Sequence, residues 1–499
     1  MDFKVIVHLD LDAFYAQVEA KRVGLDARRD AVGVVQWDSL LAVSYPARAA
    51  GVTRFDTPRD ARRKCDGIAC VHVEYLDLKT GASIADPAAA PDRSAAKVSL
   101  ARYRRASRAV LDALVGAAGG ATIERASIDE VYVDVTAAAA AGGGSEDARL
   151  ARGGVLATAL RDAVFSRTGF TSSAGVSTSK FLAKLASSRH KPARTTVVSR
   201  AEVPDVMHAT PLLSINGYGG KEGLAIQAAL GVSDDATAAR ALDALIALEG
   251  RGAAPPFAAR LRALVLRGDD GAAVVDNLRP KSLNVFKSFP AAERRAAVVA
   301  EWLRLLAAEL AERADEDAAL NDRRPAKFTL GRRGDYDDDA AMRTKTTRAP
   351  ASVSGPSLAA AAALLLKGFD GGGLPCSRLQ LSLGDFAAVA SGRSAITSFF
   401  GAQKRPAAPP RRDEAPPRSG EEPWSCSACT LTNARAAVAC ACCGAARPHA
   451  GAGWDCAACT LRNPEPARTC AACGGAGPAR ARKRQRTGDI RDALGRRPP

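Results

Sequence analysis

Apolar and polar positions along the chain change period several times. Phe3 to Asp10 is a short apolar run ending in an acid, which predicts a strand, and Asp12 to Lys21 continues as a helix. Leu41 to Ser44 predicts another strand. Val110, Leu111 and Leu114 share one face of a helix predicted over Tyr103 to Val115. Val131, Val133 and Val135 alternate with polar groups, so Thr122 to Thr136 predicts a strand pair. The Ala/Gly run Ala137 to Gly144 predicts a flexible loop. Thr171 to Val176 follows as a strand and Ser177 to Ser188 as a helix. Residues 206–275 are Ala/Leu-rich and mostly helical, and 276–387 return to mixed strand and helix. The pattern predicts an α+β multidomain chain, with helices packed on sheets. From about 388 the pattern fades, and 402–423 is rich in Pro, Arg and Glu, as a linker is.

Length and charge narrow the picture. At 499 residues the chain is too long for one core and implies two to four domains. A formal net charge of +16 favours a polyanionic partner, nucleic acid first. No apolar run is long enough to span a bilayer and no amphipathic anchor or signal peptide is evident, so no membrane partner is expected. Nine of the 12 cysteines lie between Cys426 and Cys473, a clustering that points to metal before disulfides.

Three acids stand at predicted strand ends: Asp10 in His8-Leu9-Asp10-Leu11-Asp12, and Asp129 with Glu130 after Ser127-Ile128. Phosphoryl transfer needs charge stabilisation on the attacking oxygen, the leaving oxygen and the phosphate, and carboxylate-held Mg²⁺ supplies it. Adjacent strand residues face opposite ways. Asp129 and Glu130 therefore share a site only if the backbone turns there, which spacing alone leaves open.

Around these acids the sequence resembles the Y-family translesion DNA polymerases, and most of all their eta branch. His8 to Glu19 looks like the family's first motif, Ala42 to Arg54 its finger motif, and Ile123 to Asp134 its catalytic hairpin. Ser173 to Ala186 with Lys191-Pro192 looks like its fourth block. The resemblance covers roughly residues 1–387 and is weakest over 206–275. It implies a right-hand fold: a ferredoxin-like palm (1–16 and 75–205), small fingers (17–74), a helical thumb (206–275) and an α+β little finger (276–387).

The resemblance also implies roles. Asp10, Asp129 and Glu130, with the Leu11 carbonyl, would hold two Mg²⁺ ions, for which Mn²⁺ can substitute. Tyr15 occupies the steric-gate position that selects deoxynucleotides, and Phe14 beside it is similarly placed. Tyr45, Arg48 and Lys191 match triphosphate-binding positions, in keeping with the bidentate fork of Arg and the point charge of Lys. Gln36 and Arg54 match positions that meet the template base and incoming nucleotide, although Arg54 could equally pair with Asp56. Ile215 to Lys221 resembles a helix–hairpin–helix turn whose glycines let amides approach a DNA phosphate. Lys281 and Lys287 are expected phosphate contacts of the little finger.

The tail carries its own signals. Arg393 to Phe400, within a linker spanning 388–421, resembles a sliding-clamp-binding peptide. Its spacing puts Ile396, Phe399 and Phe400 on one side of a helical turn. Cys426, Cys429, Cys440 and Cys443 form one four-thiolate set, and Cys456, Cys459, Cys470 and Cys473 repeat it 30 residues later. Each set suits a tetrahedral structural Zn²⁺, giving two small zinc fingers (422–446 and 452–476). Both resemble the Ran-binding-protein type of finger (NZF), some members of which bind ubiquitin and others single-stranded RNA. Ubiquitin, or a clamp bearing it, is the favoured ligand. Arg480 to Arg486 within the basic tail 477–499 suggests nuclear import.

The expected activity is thus template-directed DNA synthesis by a monomer acting on primer-template DNA and deoxynucleoside triphosphates, across damaged template such as pyrimidine dimers. Its rivals are another branch of the family such as iota or kappa, a cyclase on a similar palm, and a non-enzymatic ubiquitin- or RNA-binding scaffold.

Overall fold

The computed structural model describes residues 3–388 apart from 87, 89, 253–254 and 336–341, and beyond these four short strands. The chain opens with β1 (Ile6–Leu11), α1 (Phe14–Arg22), β2 (Val32–Gln36), β3 (Ser39–Val43), α2 (Tyr45–Ala49), α3 (Pro58–Lys64) and β4 (Ala69–His72). Three short strands follow, β5 (Tyr75–Asp77), β6 (Ser83–Ile84) and β7 (Ala96–Val98). Next come α4 (Ala101–Ala117), β8 (Thr122–Arg125), β9 (Glu130–Asp134), α5 (Thr136–Ala140), α6 (Glu146–Thr168), β10 (Ser172–Ser177), α7 (Lys180–Arg189) and β11 (Thr195–Val197). Four helices form a separate body: α8 (Val203–Ala209), α9 (Gly220–Leu230), α10 (Ala238–Glu249) and α11 (Ala258–Arg267). The last large body is β12 (Ser282–Glu293), α12 (Ala296–Asn321), β13 (Arg323–Arg333), β14 (Arg343–Arg348), α13 (Gly355–Lys367) and β15 (Cys376–Ala388). The chain is α+β, and no helix among the described residues is long and apolar enough to cross a membrane.

The central sheet has the order β11-β10-β1-β9-β8, with β1 antiparallel to both neighbours. Strand alternation gives it two unlike faces. Val7, Leu9, Leu11, Val131, Val133, Ala174 and Val176 join one core cluster with residues of α4 and α6. The other face carries Ile6, His8, Asp10, Glu130, Tyr132 and Gly175, and α7 lies across part of it. Two glycines set these approaches. A Cβ on Gly153 of α6 would fall 2.5 Å from a Val5 methyl, and one on Gly175 of β10 would fall 2.0 Å from the Ala183 carbonyl of α7. The long helix α6, which hydrophobic spacing did not announce, starts at a Ser145 cap and stops at Gly169 with φ 75°.

The expected Ala137–Gly144 loop is corrected in part: Thr136–Ala140 is a short helix, closed by turns at Gly143 and Gly144. Alanines favour helix, and only the glycines leave it. Elsewhere the expected elements differ at their ends. The first strand runs one residue past Asp10, and α1 begins at Phe14 because Ala13 is left-handed, with φ 43°.

The C-terminal sheet, order β12-β15-β13-β14, lies under α12 and α13 around the buried Trp302. Strand β12 alternates strictly, so Leu283, Val285, Lys287 and Phe289 point inward. Lys287 therefore does not make the expected phosphate contact. Its ammonium lies 4.0 Å over the Trp302 ring and donates to the Arg93 and Ala96 carbonyls at 2.5 and 2.8 Å. Lys97 pairs with the buried Glu309 of α12 at 2.7 Å, and Leu76 and Leu78 pack on the same core. The β5–β7 region is thus the dock of this body. Lys281 is exposed.

Residues 411–499 form a second unit. In it β16 (Trp424–Ser425) pairs with β17 (Thr432–Asn433), and β18 (Gly453–Asp455) with β19 (Arg462–Pro464). Trp424 faces Asn433 as Trp454 faces Asn463, so the 30-residue repeat seen in the sequence reappears as a repeated hairpin register.

Candidate active site

Asp10 and Glu130 are cross-strand partners in the β1–β9 ladder, so their side chains emerge on the same face. Asp129 reaches them because the backbone turns just before β9. Ser127 N–H and Ala126 N–H both donate to the Glu130 carbonyl, at 3.1 and 3.0 Å. The Ser127 hydroxyl donates to Asp129 at 2.5 Å and accepts from Glu130 N–H at 3.0 Å. Leu11 N–H donates to the Asp129 carbonyl at 3.0 Å, which ties this turn to the end of β1. The backbone turn that spacing left open is thus present between Ala126 and Glu130.

Two lysines neutralise this acidic corner. Lys191 meets Asp10 at 2.5 Å and Lys184 meets Glu130 at 2.5 Å. Burial holds the Asp10 carboxyl above the usual carboxylate range. Glu130 and Asp129 push it the same way, against the pull of Lys191. Asp10 and Glu130 pair with lysines and Asp129 with the Ser127 hydroxyl, and among the described residues no three acid, His or Cys side chains are grouped closely enough to hold a metal ion. The donor set nevertheless fits a hard divalent cation: three carboxylates on rigid backbone, whose mutual repulsion a cation would relieve.

The aromatic floor of the site divides the two expected residues. Tyr15 is half-buried and stacks on Tyr103 with ring centroids 3.9 Å apart. Burial and the Asp129 charge push its phenol upward. Phe14 is 3% exposed, its ring packed edge-on against Tyr103 and Phe170. Its side chain belongs to the core, and the expectation of a nucleotide contact from that ring is corrected: one helical step separates the two neighbours by about 100°, so only one can face the site.

Tyr45 opens α2 within electrostatic reach of Asp12, Arg48 and Asp10, and burial pushes its phenol up to about 12. It stays a neutral donor. The exposed Arg48 guanidinium lies 4.7 Å over its ring and donates to the Val43 carbonyl at 3.0 Å. Gln36 ends β2 beside Ser39, and Arg54 lies on the loop after α2, exposed. The rival partner of Arg54 is occupied: Asp56 binds Lys64 at 2.7 Å and accepts from Thr53 N–H.

Four residues in these motifs had no role assigned from sequence. Asp12 is buried, accepts from the Ser173 hydroxyl at 2.7 Å and from Ala193 N–H at 2.9 Å, and so fixes the loop that presents Lys191. Lys180 and Lys184, one turn apart on α7, take Glu124 and Glu130. That i, i+4 lysine pair was the available signal. His8 is fully buried beneath Glu130, with Nδ1 at 2.8 Å from the Ser187 hydroxyl and Nε2 at 4.0 Å from Glu130. Burial, and then Lys184, Lys191 and Lys180, keep it neutral. The eight zinc-finger cysteines and Ile396, Phe399 and Phe400 lie outside the described residues.

Comparison with known proteins now adds to this geometry. The impB/mucB/samB family matches residues 9–188, and that family's C-terminal domain matches 280–396. The chain belongs to this family. Its two domains are those of the Y-family polymerases. The zinc finger found in Ran-binding protein and others matches 421–449 and 450–479 and so takes in both four-cysteine sets. Among relatives, DNA polymerase eta of Arabidopsis thaliana is 30% identical over 383 residues, covering 66% of this chain and 53% of that protein. DNA polymerase eta of Saccharomyces cerevisiae is 41% identical over 140 residues, 26% of this chain and 22% of the relative. That of Drosophila melanogaster is 25% identical over 412 residues, 69% and 44% respectively. The chain thus spans between about a fifth and about half the length of these relatives. Polymerases of this family use divalent metal, and fingers of this type bind zinc.

Proposed function

We propose that this chain is a translesion DNA polymerase of the eta branch, extending a primer 3′-hydroxyl opposite damaged template, with pyrimidine dimers the first candidate lesion. The observation that supports this is the cross-strand pair Asp10 and Glu130 at the end of β1, with Asp129 on the adjoining turn within electrostatic reach of Asp10, and Lys191 and Tyr45 beside them. In this reading the central sheet is the palm, β2–β4 with α2 and α3 the fingers, α8–α11 the thumb and β12–β15 the little finger. Asp10, Asp129, Glu130 and the Leu11 carbonyl would hold two Mg²⁺ ions. When bound, these ions neutralise charge on the attacking and leaving oxygens.

The side chains supply the rest. Lys191, which pairs with Asp10 at 2.5 Å, would give its ammonium to the triphosphate. Arg48 forks onto phosphate oxygens and the neutral Tyr45 phenol donates one further bond. Tyr15, backed by Tyr103, lies under the sugar and excludes a 2′-hydroxyl. Gln36 and Arg54 meet the nascent base pair. On the little finger, Lys327, Arg348 and Arg378 flank the sheet face opposite the Trp302 core and suit duplex phosphates.

The tail extends the reading. Ile396, Phe399 and Phe400 would dock on the sliding clamp. Two Zn²⁺ ions would fold the fingers, whose ligand is ubiquitin or a clamp carrying it. The basic segment Arg480 to Arg486 would direct the chain to the nucleus. The deciding experiment is primer extension with Mg²⁺ on plain and thymine-dimer templates, for wild type and for Asp129→Ala/Glu130→Ala. Extension through the dimer by wild type alone is expected. Stalling of wild type at the dimer removes the eta assignment, and no extension on plain template removes the polymerase.

A further inference from the structure

The most exposed large apolar side chain among the described residues is Phe55, at 75%. Its backbone φ is 74°, a left-handed conformation that a bulky residue rarely adopts. Such strain persists where the surroundings over-determine it, and here they do. Phe55 N–H donates to the Leu40 carbonyl at 2.9 Å, and Leu40 N–H donates to the Asp56 carbonyl at 2.8 Å. Asp56 accepts from Thr53 N–H at 2.8 Å and binds Lys64, while Thr57 caps α3. The ring is thus a rigid projection. The Arg54 guanidinium lies 5.4 Å over it.

We propose that Phe55, with Arg54, is a stacking platform for an unpaired template base just 5′ of the templating position. This rests on the polymerase reading above. The placement follows from β3. From Tyr45, the first residue of α2 and beside the carboxylates, Ser44 and β3 lead back to Leu40, which is bonded to Phe55, a path of five residues or about 16 Å. At single-strand spacing this is two or three nucleotides from the reacting phosphate. An aromatic face flanked by an arginine is the chemistry that holds single strands without sequence preference, the ring by stacking and the cation by charge. A ring buried on one side would only need packing. A ring held out into water by a strained, hydrogen-bonded loop has a ligand with a flat apolar face, and an unpaired base is that ligand.

The test places 2-aminopurine in the template one nucleotide 5′ of the templating base, and follows its fluorescence as wild type, Phe55→Ala, Phe55→Leu and Phe55→Trp bind the primer-template. Wild type and Phe55→Trp are expected to quench the probe, and Ala and Leu to leave it bright. Affinity for the single-stranded overhang falls roughly 5- to 150-fold in Phe55→Ala, the range that loss of one base–aromatic stack gives. The salt dependence keeps its slope, because no phosphate contact is removed. Equal quenching and affinity in Phe55→Ala would overturn the proposal and leave the ring as a contact for protein. Quenching retained in Phe55→Leu would also overturn it, since apolar bulk alone would then suffice. Wild type that extends the primer while Phe55→Ala matches it in quenching refutes the platform but not the polymerase. Wild type that neither binds nor extends refutes both.

Discussion

Replacing Gly175 by Ala tests how the acidic corner is held. The added Cβ would fall 2.0 Å from the Ala183 carbonyl oxygen, 2.3 Å from Ser187 N and 2.9 Å from the Ala186 carbonyl carbon. All three are backbone atoms of α7, so no rotamer change relieves the clash. Non-bonded contacts settle near 3.5 Å, so the helix must retreat by about 1.5 Å. Overpacking of this kind costs about 1–3 kcal/mol, and a clash with backbone belongs at the upper end. A loss of about 3 kcal/mol lowers the midpoint of thermal unfolding by roughly 6–12 °C for a domain of this size. The same retreat draws Lys184 away from Glu130 and shifts the loop that carries Lys191, and a misplacement of about 1 Å can cost roughly 100-fold in rate. Differential scanning fluorimetry and single-turnover primer extension read the two effects. Gly153→Ala on the opposite face is the control. There the Cβ meets methyl groups of Val5 and Val176 at 2.5 and 2.9 Å, side chains that can give way, so its loss is smaller. A Gly175→Ala chain as stable and as fast as wild type would refute the claim that this close approach positions the site.

Asp12→Asn should raise the KM for deoxynucleoside triphosphate more than it lowers kcat, because the amide cannot accept from both Ser173 and Ala193 N–H and Lys191 loses its anchor; steady-state kinetics with unchanged KM would contradict this. Lys287 is lowered by burial from its ordinary 10.5 to about 8. The folded chain therefore gives up this proton first, the unfolded state binds more protons between those values, and stability rises with pH through that window. Lys287→Met should abolish the rise, as chemical unfolding at pH 8 and 10 would report. Cys426→Ser should halve the bound zinc measured by elemental analysis, since the two cysteine sets are separate repeats, whereas full loss would mean that the fingers fold as one.

The α+β class, the strand–helix alternation of the first 200 residues and the acidic corner were legible because each rests on local periodicity or on a long motif. What escaped did so for identifiable reasons. The helix α6 carries Ala, Gly and Arg in place of an apolar stripe, and its long packing against the sheet runs through Gly153, where a missing side chain is the signal. The roles of Asp12 and Lys184 depend on partners 181 and 54 residues away in the chain, which only the fold brings together.

Lys287 went wrong for the opposite reason, since its charge was read without its period. Strand β12 places Leu283, Val285 and Phe289 inward, and the same count puts Lys287 among them. Period 2 along a strand outranks the usual exposure of a lysine when the long stem can carry its ammonium to acceptors beyond the core. Here the acceptors are carbonyls of residues 93 and 96, in another part of the chain, so the buried lysine joins the C-terminal body to the one that bears the carboxylates. The other face of the same sheet carries the exposed Arg348, Lys327 paired with Asp385 at 3.5 Å, and Arg378 over the Phe286 ring. The basic charge of this region therefore divides by strand register into one lysine that joins two parts of the chain and a set on the outward face of the sheet.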